Sequence, residues 1–271
     1  MTLAMLLPFT IVAMVTLIMS VVTYIGTFDH VTTELGSDHY AEKCPEFLSK
    51  FVPESFTMPM NTLVNIGYIM VGAYYSAVAS VRSKQQVFSA QDCFMFYLFN
   101  FGAAFYGVIQ TLRILTQMHK FAVMDQWYTL PLFNFVFIWS KSLTANPQPT
   151  QSALIMALSL TSYCLAVWTE IGFEIALAFH IFVAVIGGVT AYRKFPATSA
   201  PRTFFGALLS CVGFVVFKLL DLELPKYHSL FTFISGHFIS KIADILQIYY
   251  VNVYFEALTL HKNKLKAQKS D

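Results

Sequence analysis

The sequence has few charged residues. Asp, Glu, Lys and Arg make up 12% of the 271 residues, whereas soluble globular domains typically carry about 25%. Such a chain has too few polar side chains to cover the surface of a water-soluble fold. The shortage therefore argues against a soluble domain and indicates a bundle of helices in lipid. The net charge of +2 comes from basic residues in loops that flank apolar runs, which gives no support to nucleic-acid binding.

Cysteine is also scarce, and several diagnostic motifs are missing. The four cysteines form no Cys-x-x-Cys pair, and both Cys164 and Cys211 lie inside apolar runs. No disulfide framework is predicted from this spacing. The sequence also lacks Asn-x-Ser/Thr glycosylation sites with an allowed middle residue, Gly/Ser-rich linkers and obvious internal repeats. Nothing in the sequence therefore divides the chain into separate domains.

Long apolar runs are the dominant feature. A helix needs about 20 apolar residues to cross the hydrocarbon core of a bilayer. The runs lie at 4–26, 59–81, 93–113, 122–140, 151–169, 171–192, 203–220 and 229–258. They predict an all-α fold, a polytopic membrane bundle of about eight helices, and the 27 Phe and 14 Tyr fit a lipid-facing exterior. The first run exceeds the ~7–15 apolar residues of a signal peptide, so it is interpreted as a retained span.

The distribution of Lys and Arg orients the predicted bundle, because cytosolic loops carry an excess of basic residues. One side carries ten: Arg82, Lys84, Lys141, Arg193, Lys194, Arg202, Lys262, Lys264, Lys266 and Lys269. The other side carries four: Lys43, Lys50, Lys120 and Lys226. Both termini are therefore predicted to be cytosolic. The expected location is an endomembrane, the ER or Golgi, with the plasma membrane as the alternative.

The same pattern divides the chain into four parts. Residues 1–26 form an N-terminal helix, and 27–58 form an acidic loop on the lumenal or extracellular side. Residues 59–258 form a seven-helix core, and 259–271 form a basic cytosolic tail. The bundle is thus expected to be a seven-helix core with one additional helix before it.

Polar side chains within the apolar runs gather at one depth, on the lumenal side. Ionisable groups inside a membrane cost about 2.5–3.5 kcal/mol each, so they mark candidate sites. The predicted pocket residues are Asn61, Asn65, Gln110, Arg113, Asp125, Gln126, His180, His237 and Lys241. A structural interpretation competes with this one, since interhelical hydrogen bonds hold membrane bundles together. Lys241 and Asp244, three residues apart, could also simply neutralise each other.

Several motifs resemble the vertebrate transmembrane protein 187 family. They include Gly36-Ser37-Asp38-His39-Tyr40-Ala41-Glu42, Met58-Pro59-Met60-Asn61-Thr62-Leu63-Val64-Asn65, Ala122-Val123-Met124-Asp125-Gln126-Trp127 and Gly236-His237-Phe238. The resemblance covers nearly the whole chain. It implies a multipass membrane protein but brings no activity with it.

A more distant resemblance concerns chemistry. The run Asn61-Thr62-Leu63-Val64-Asn65, the region 115–131 around Asp125, and His237 are similar to motifs of alkaline ceramidases. Those enzymes are seven-helix membrane hydrolases with three His, one Asp and one Ser around zinc. The resemblance implies Asp125 as a catalytic base and His237 as a zinc ligand. His180 lies at a similar depth on another helix and could replace a missing ligand, with Asp38, His39 or Glu42 reaching in from the loop.

The ceramidase pattern is incomplete in this sequence. Phe233 stands where those enzymes have a further His, and residues near Gln110 and Arg113 replace their Ser and His. A catalytic zinc usually needs three protein ligands, and the charge of Arg113 disfavours a cation nearby. Arg113 could instead bind an anionic headgroup or pair with Asp125.

Three functions are left open. The first is a non-catalytic protein that binds a lipid or small molecule in the lumenal pocket, with membrane lipids as partners and no cofactor. The second is a zinc-dependent hydrolase of lipid amides or esters. The third is a scaffold or trafficking protein that binds a protein partner through loop 27–58.

Overall fold

The computed structural model describes residues 3–45, 50, 56–145 and 148–270. These residues form helices and short 3-10 turns but no strand, which confirms the all-α bundle. Eight long helices follow one another: α1 Leu3–Tyr24, α2 Pro59–Lys84, α3 Ala90–Thr116, α4 His119–Thr144, α5 Pro149–Trp168, α6 Gly172–Lys194, α7 Ala200–Leu219 and α8 Gly236–Ser270. Helices α2 and α5 each contain one short turn, after Leu63 and Ser162.

Six of the helices in the described residues are long and apolar enough to cross a membrane: α1, α2, α3, α5, α6 and α7. Helices α4 and α8 are more polar. Helix α4 packs against α1, α3, α5 and α6, while α8 packs against α7 and α2 and touches α3 and α4. A helix that is shielded by its neighbours needs fewer apolar side chains than one that faces lipid. The arrangement is that of a multipass membrane bundle.

The polar end of the bundle is where α2, α4, α6 and α8 begin and α1, α3, α5 and α7 end. Residues 27–45 fold over this end rather than away from it. The Phe28 ring packs edge-on against Trp127 and Tyr163, at centroid distances of 4.9 and 5.0 Å. Tyr40 and Glu42 are 3% and 5% exposed. This half of the predicted loop is therefore part of the packed structure.

Helix α8 differs from the predicted last span at both ends. Residues Ser229–Thr232 form a 3-10 turn, and α8 begins only at Gly236. A Cβ at Gly236 would lie 2.6 Å from the carbonyl oxygen of Phe217, so glycine permits the close approach of α7 and α8. At its other end α8 continues through the predicted tail to Ser270.

The opposite end of the bundle is held by a buried ion pair. The Lys262 ammonium lies 2.6 Å from Asp92, with the two side chains 9% and 3% exposed. Asp92 also belongs to a capping box with Ser89 at the start of α3. A residue of the predicted basic tail thus has a structural partner within the bundle.

The expectation that tyrosines face lipid is wrong for more than half of them. Eight are buried: Tyr40, Tyr68, Tyr75, Tyr97, Tyr106, Tyr128, Tyr163 and Tyr254. A buried tyrosine hydroxyl usually has a hydrogen-bond partner. The Tyr254 hydroxyl, for example, donates to the Gly188 carbonyl at 2.7 Å. The buried helical rings pack between neighbouring helices, and hydroxyl groups such as that of Tyr254 bond across the interface.

Candidate functional site

Three helices each turn a stripe of polar side chains inward near the polar end. Residues spaced by four and then three positions lie on one face of an α-helix. The stripes are Asn61, Asn65 and Tyr68 on α2, Tyr106, Gln110 and Arg113 on α3, and His237, Lys241 and Asp244 on α8. All nine residues are buried. Together with Asp125 of α4 and Tyr40 they form what we call the polar cluster.

An ion pair between α3 and α4 lies in the cluster. Arg113 Nη1 donates to Asp125 Oδ2, and the side chains are 4% and 6% exposed. Gln110 Nε2 donates to the other carboxylate oxygen, Oδ1. Arg113 Nη2 also donates to the carbonyl oxygen of Glu34 at 3.1 Å. Of the two roles expected for Arg113, the structure therefore shows the pairing with Asp125.

A second polar contact joins α2 to α8. The Tyr68 hydroxyl donates to Asp244 Oδ2 at 2.6 Å. The prediction that Lys241 pairs with Asp244 is wrong, because Tyr68 binds this carboxylate instead. Among the described residues, the buried Lys241 ammonium has no hydrogen-bond or ion-pair partner, and it lies 5.8 Å from the centroid of the Tyr106 ring. Asp125 and Asp244 attract it electrostatically from a distance.

Six further polar atoms of the cluster have no hydrogen-bond partner within the described parts of the chain. They are Tyr40 Oη, Asn61 Oδ1, Asn65 Oδ1, Gln110 Oε1, Arg113 Nε and His237 Nε2. Ten buried side-chain atoms in the described chain share this condition, so most of them lie at this one place. Buried polar groups in proteins nearly always have partners. The concentration of exceptions marks the polar cluster as the candidate functional site.

A short cover segment, residues 40–43, lies over the cluster and is fixed to the start of α2 through Glu42. Its two carboxylate oxygens accept hydrogen bonds from the backbone N–H groups of Met60 and Asn61, at 2.6 and 2.8 Å. Burial raises the pKa of Glu42 to about 7, although these two hydrogen bonds oppose the shift. A negative charge here also meets the positive end of the helix dipole.

The cover segment is also fixed to the start of α8. Asp221 accepts a hydrogen bond from the Ala41 N–H at 3.0 Å and one from the His237 N–H at 2.7 Å. Burial raises the pKa of Asp221 as well. The Tyr40 ring then stands edge-on to the His237 ring at 4.9 Å, and desolvation raises the pKa of Tyr40 to about 12. The cover segment thus contributes a side chain to the cluster that it closes.

Two of the predicted pocket residues lie elsewhere. Gln126 Oε1 accepts a hydrogen bond from the Tyr163 hydroxyl at 2.8 Å. In His180, Nε2 is hydrogen-bonded to Ser159 at 2.8 Å and Nδ1 to the Ala176 carbonyl at 2.7 Å. Both side chains contact helix α5. Gln126 points away from its neighbour Asp125 because successive helical residues point about 100° apart. The other predicted pocket residues are brought together in the cluster.

The residues present do not fit a catalytic zinc ion. Such an ion usually takes three protein ligands, yet the described residues contain no group of three His, Cys, Asp or Glu side chains placed to hold a metal. Both ring nitrogens of His180 have partners of their own. The Arg113 guanidinium occupies one oxygen of Asp125, so a cation there would meet a positive charge.

Sequence reasoning missed three members of the cluster, Tyr40, Tyr68 and Tyr106, and it assigned Asp244 only to neutralising Lys241. A signal for two of them was present. Tyr68 continues the spacing of the two asparagines of α2, and Tyr106 precedes Gln110 by four residues. Extending each stripe by one turn finds both tyrosines. The loop residues have no periodicity, so nothing local indicated their burial.

Apolar helices around a closed polar cluster define the class of this chain, a multipass helical membrane protein. The family model for the TMEM187 protein family matches residues 8–256, and the chain belongs to the transmembrane protein 187 family. Human transmembrane protein 187 is 33% identical over 247 residues, covering 89% of this chain and 88% of the relative. Its bovine counterpart is 35% identical over 233 residues, covering 86% and 89% respectively. No solved structure matches the chain.

Proposed function

We propose that the polar cluster binds one small polar ligand without catalysing a reaction on it. The ligand is the headgroup of a membrane lipid or a small molecule of the same chemistry. The observation that supports this most is the set of buried polar atoms without protein partners around Arg113 and Asp125. Each unpaired buried group costs about 1–3 kcal/mol, so a bound ligand or ordered water must offset that cost.

The free groups indicate the chemistry of the ligand. Lys241 can donate up to three hydrogen bonds and carries a positive charge, which suits a phosphate or carboxylate. The free oxygens of Asn61, Asn65 and Gln110 are acceptors, which suit hydroxyl or ammonium groups. A ligand with at least one acidic group and at least one hydroxyl or amino group meets both requirements. The headgroup of phosphatidylserine is one such structure.

The contacts of Asp125 favour binding over catalysis. Each of its carboxylate oxygens already accepts a hydrogen bond, one from Gln110 and one from Arg113. A general base must be free to accept a proton from the reacting group. A carboxylate held in an ion pair is a poor base, so the ceramidase-like hydrolase is the weaker proposal.

Two lysines of α8 provide a matched test. Lys241 and Lys262 are 2% and 7% exposed, but only Lys262 has an ion-pair partner. We would purify the wild type, Lys241→Met and Lys262→Met in detergent and extract them with organic solvent. Mass spectrometry would identify the molecules that copurify with each. The shift in thermal unfolding midpoint would then be measured with dihexanoylphosphatidylserine and with dihexanoylphosphatidylcholine, which lacks hydrogen-bond donors.

The expected result separates the two lysines. Lys241→Met should lose the copurifying molecule and the thermal shift with dihexanoylphosphatidylserine, while Lys262→Met should keep both despite lower stability. The opposite result is that the wild type and Lys241→Met copurify the same molecules, with no thermal shift for the wild type. That result would mean that internal water, rather than a ligand, bonds to the polar groups of the cluster. Equal loss in both variants would assign the effect to general destabilisation. Either result would refute the proposal.

The orientation of the bundle is a second part of the proposal. We infer that the polar end faces the lumen or the outside, with both termini in the cytosol of an endomembrane. The ten-to-four distribution of basic residues supports this. A glycosylation sequon inserted beside the exposed Asp38 should be modified in microsomes, and one inserted beside Gln85 should not. The reverse pattern would overturn the orientation.

A further inference from the structure

A cavity of ≈ 960 Å³ lies between α1, α3, α4 and α5, apart from the polar cluster. None of the residues of the polar cluster lines it. Ligand pockets typically have volumes of about 300–1,000 Å³, so this one is large for a defect in packing. Its walls include α1 and α5, whose apolar faces are mostly unburied within the bundle. We call it the apolar groove.

The lining of the apolar groove changes along the helix axis. Its polar members all lie at the opposite end of the bundle from the polar cluster: Gln91, Ser142, Gln148 and Ser152. Gln91 Nε2 donates to the Ser142 hydroxyl at 3.0 Å. Deeper in, the lining is apolar, reaching Gly102 on α3 and Tyr128 on α4. Polar groups at the mouth and an apolar interior match the two parts of an amphiphile.

The length of the groove is close to that of one leaflet of a membrane. Eleven positions separate Gln91 from Gly102 on α3, and fourteen separate Ser142 from Tyr128 on α4, which at 1.5 Å per residue correspond to about 16 and 21 Å. Half of a hydrocarbon core of ~30 Å is about 15 Å. With the rim at the level of the lipid headgroups, the deepest residues lie close to the middle of the bilayer or slightly beyond it.

We propose that the apolar groove holds one acyl chain of a membrane phospholipid, with the headgroup at the rim formed by Gln91 and Ser142. Apolar cavities exclude water, so hydrocarbon is the filler that this lining favours. The lining residues Ala153 and Ala157 of α5 are exposed, which gives a chain a lateral entry from the bilayer. A single flexible acyl chain enters such a groove between four helices more readily than a folded second copy of the protein. This site is independent of the ligand proposed for the polar cluster.

The test uses photo-crosslinking in nanodiscs of phosphatidylcholine. A fraction of this lipid carries a diazirine on one acyl chain. Two variants narrow the groove, Ala157→Trp and Ala153→Leu. Ala77→Trp is the matched control, because Ala77 is an exposed helical alanine on α2 that does not line the groove. Labelled positions are mapped by peptide mass spectrometry, and size-exclusion profiles confirm that each variant is folded.

The informative positions are Tyr128 and Phe135 on α4, which line the groove but are only 4% and 7% exposed. Both should be labelled in the wild type and in Ala77→Trp. Labelling there should fall several-fold in Ala157→Trp and to a smaller extent in Ala153→Leu. Two outcomes would overturn the proposal, because each means contact with bulk lipid only. In the first, the labels are confined to outward faces of the bundle. In the second, Tyr128 and Phe135 are labelled but neither groove variant reduces this labelling.

Discussion

The buried ion pair between Arg113 and Asp125 makes a quantitative prediction. Both side chains are nearly inaccessible, at 4% and 6% exposure, so solvent screens their attraction little. Removing one partner of a buried pair costs about 3–5 kcal/mol, because the remaining charge is left without compensation. Replacing both partners by apolar residues is often close to neutral. Arg113→Met and Asp125→Leu should therefore each be strongly destabilising, while the double variant should cost no more than either single change.

A double-mutant cycle measures this directly. The free energy of unfolding of the four proteins would be obtained in detergent by steric trapping. The ion pair between Lys218 and Glu34 is a suitable control, because it lies at the same end but is 30% and 50% exposed, with 3.3 Å between the charged atoms. Exposed pairs contribute about 0–1 kcal/mol. Lys218→Met should thus change stability by a small fraction of the effect of Arg113→Met.

Additivity would refute this reasoning. If the costs of the two single changes simply add, within about 0.5 kcal/mol, the two charges do not interact in the folded protein. A large effect of Lys218→Met would also contradict it, since burial would then not be the factor that separates the two pairs.

Three further predictions concern stability. The first is measured as the thermal unfolding midpoint and the other two as the free energy of unfolding. Burial raises the pKa of Glu42 from 4.5 to about 7. The folded protein therefore binds this proton more tightly than the unfolded chain, so the contribution to stability is fully present below about pH 4.5 and is lost as the pH rises through about 7. Glu42→Gln should flatten the decline between about pH 4.5 and pH 7, and an unchanged slope would contradict this. Gly236→Ala should lower the free energy of unfolding by about 1–3 kcal/mol, because the added Cβ would clash with the Phe217 carbonyl oxygen. A neutral effect would mean that α7 and α8 can move apart freely. Asn252→Leu should cost about 1–3 kcal/mol, because it leaves Oδ1 of Asn100 buried without the donor that it has in the wild type. Replacing both asparagines by Leu should restore part of this loss, and no recovery would argue that the two amides do not interact.

Hydropathy predicted the helices well because the bilayer requires a minimum apolar length, but it predicted the ends of α8 poorly. Residues 229–235 include Phe231, Phe233 and Ile234, which extend an apolar run without extending a helix. The Ser235 hydroxyl accepts a hydrogen bond from the Phe238 N–H at 3.1 Å, a typical helix-capping contact. At the C-terminal end of α8, Lys262 was predicted to lie in a basic tail because it is charged. Its buried partner Asp92 can be found only from the fold.

The sequence predicted the depth of the candidate site along the helices, but only partly predicted which way each side chain points. Position within a span gives the height of a residue in the membrane, so the residues from Asn61 to Lys241 were placed at one level. Which way a side chain points depends on helix packing. Asp125 and Gln126 are adjacent, yet one binds Arg113 and the other binds Tyr163. The sequence offered the pairing of Arg113 with Asp125 only as one of two alternatives, and it did not predict that Tyr68 binds Asp244. The stripes on α2, α3 and α8 follow from residue spacing and can be predicted.

Helix α8 shows why the polar cluster differs from ordinary interhelical glue. Further along this helix, Asn252 exchanges hydrogen bonds with Asn100 at 2.8 and 3.1 Å, and Lys262 pairs with Asp92 at 2.6 Å. These contacts join helices and give the amide and charged groups involved partners within the protein. At the polar end, His237 Nε2 is buried without a partner in the described residues, as are five other atoms of the cluster. At about 1–3 kcal/mol each, six such atoms would cost roughly as much as the 5–15 kcal/mol that usually stabilises a whole domain. If these groups served only to hold the helices together, they would have partners within the protein, as Asn252 and Lys262 have. The polar end is therefore better explained as a site for a bound ligand, whose polar groups the helices themselves do not supply.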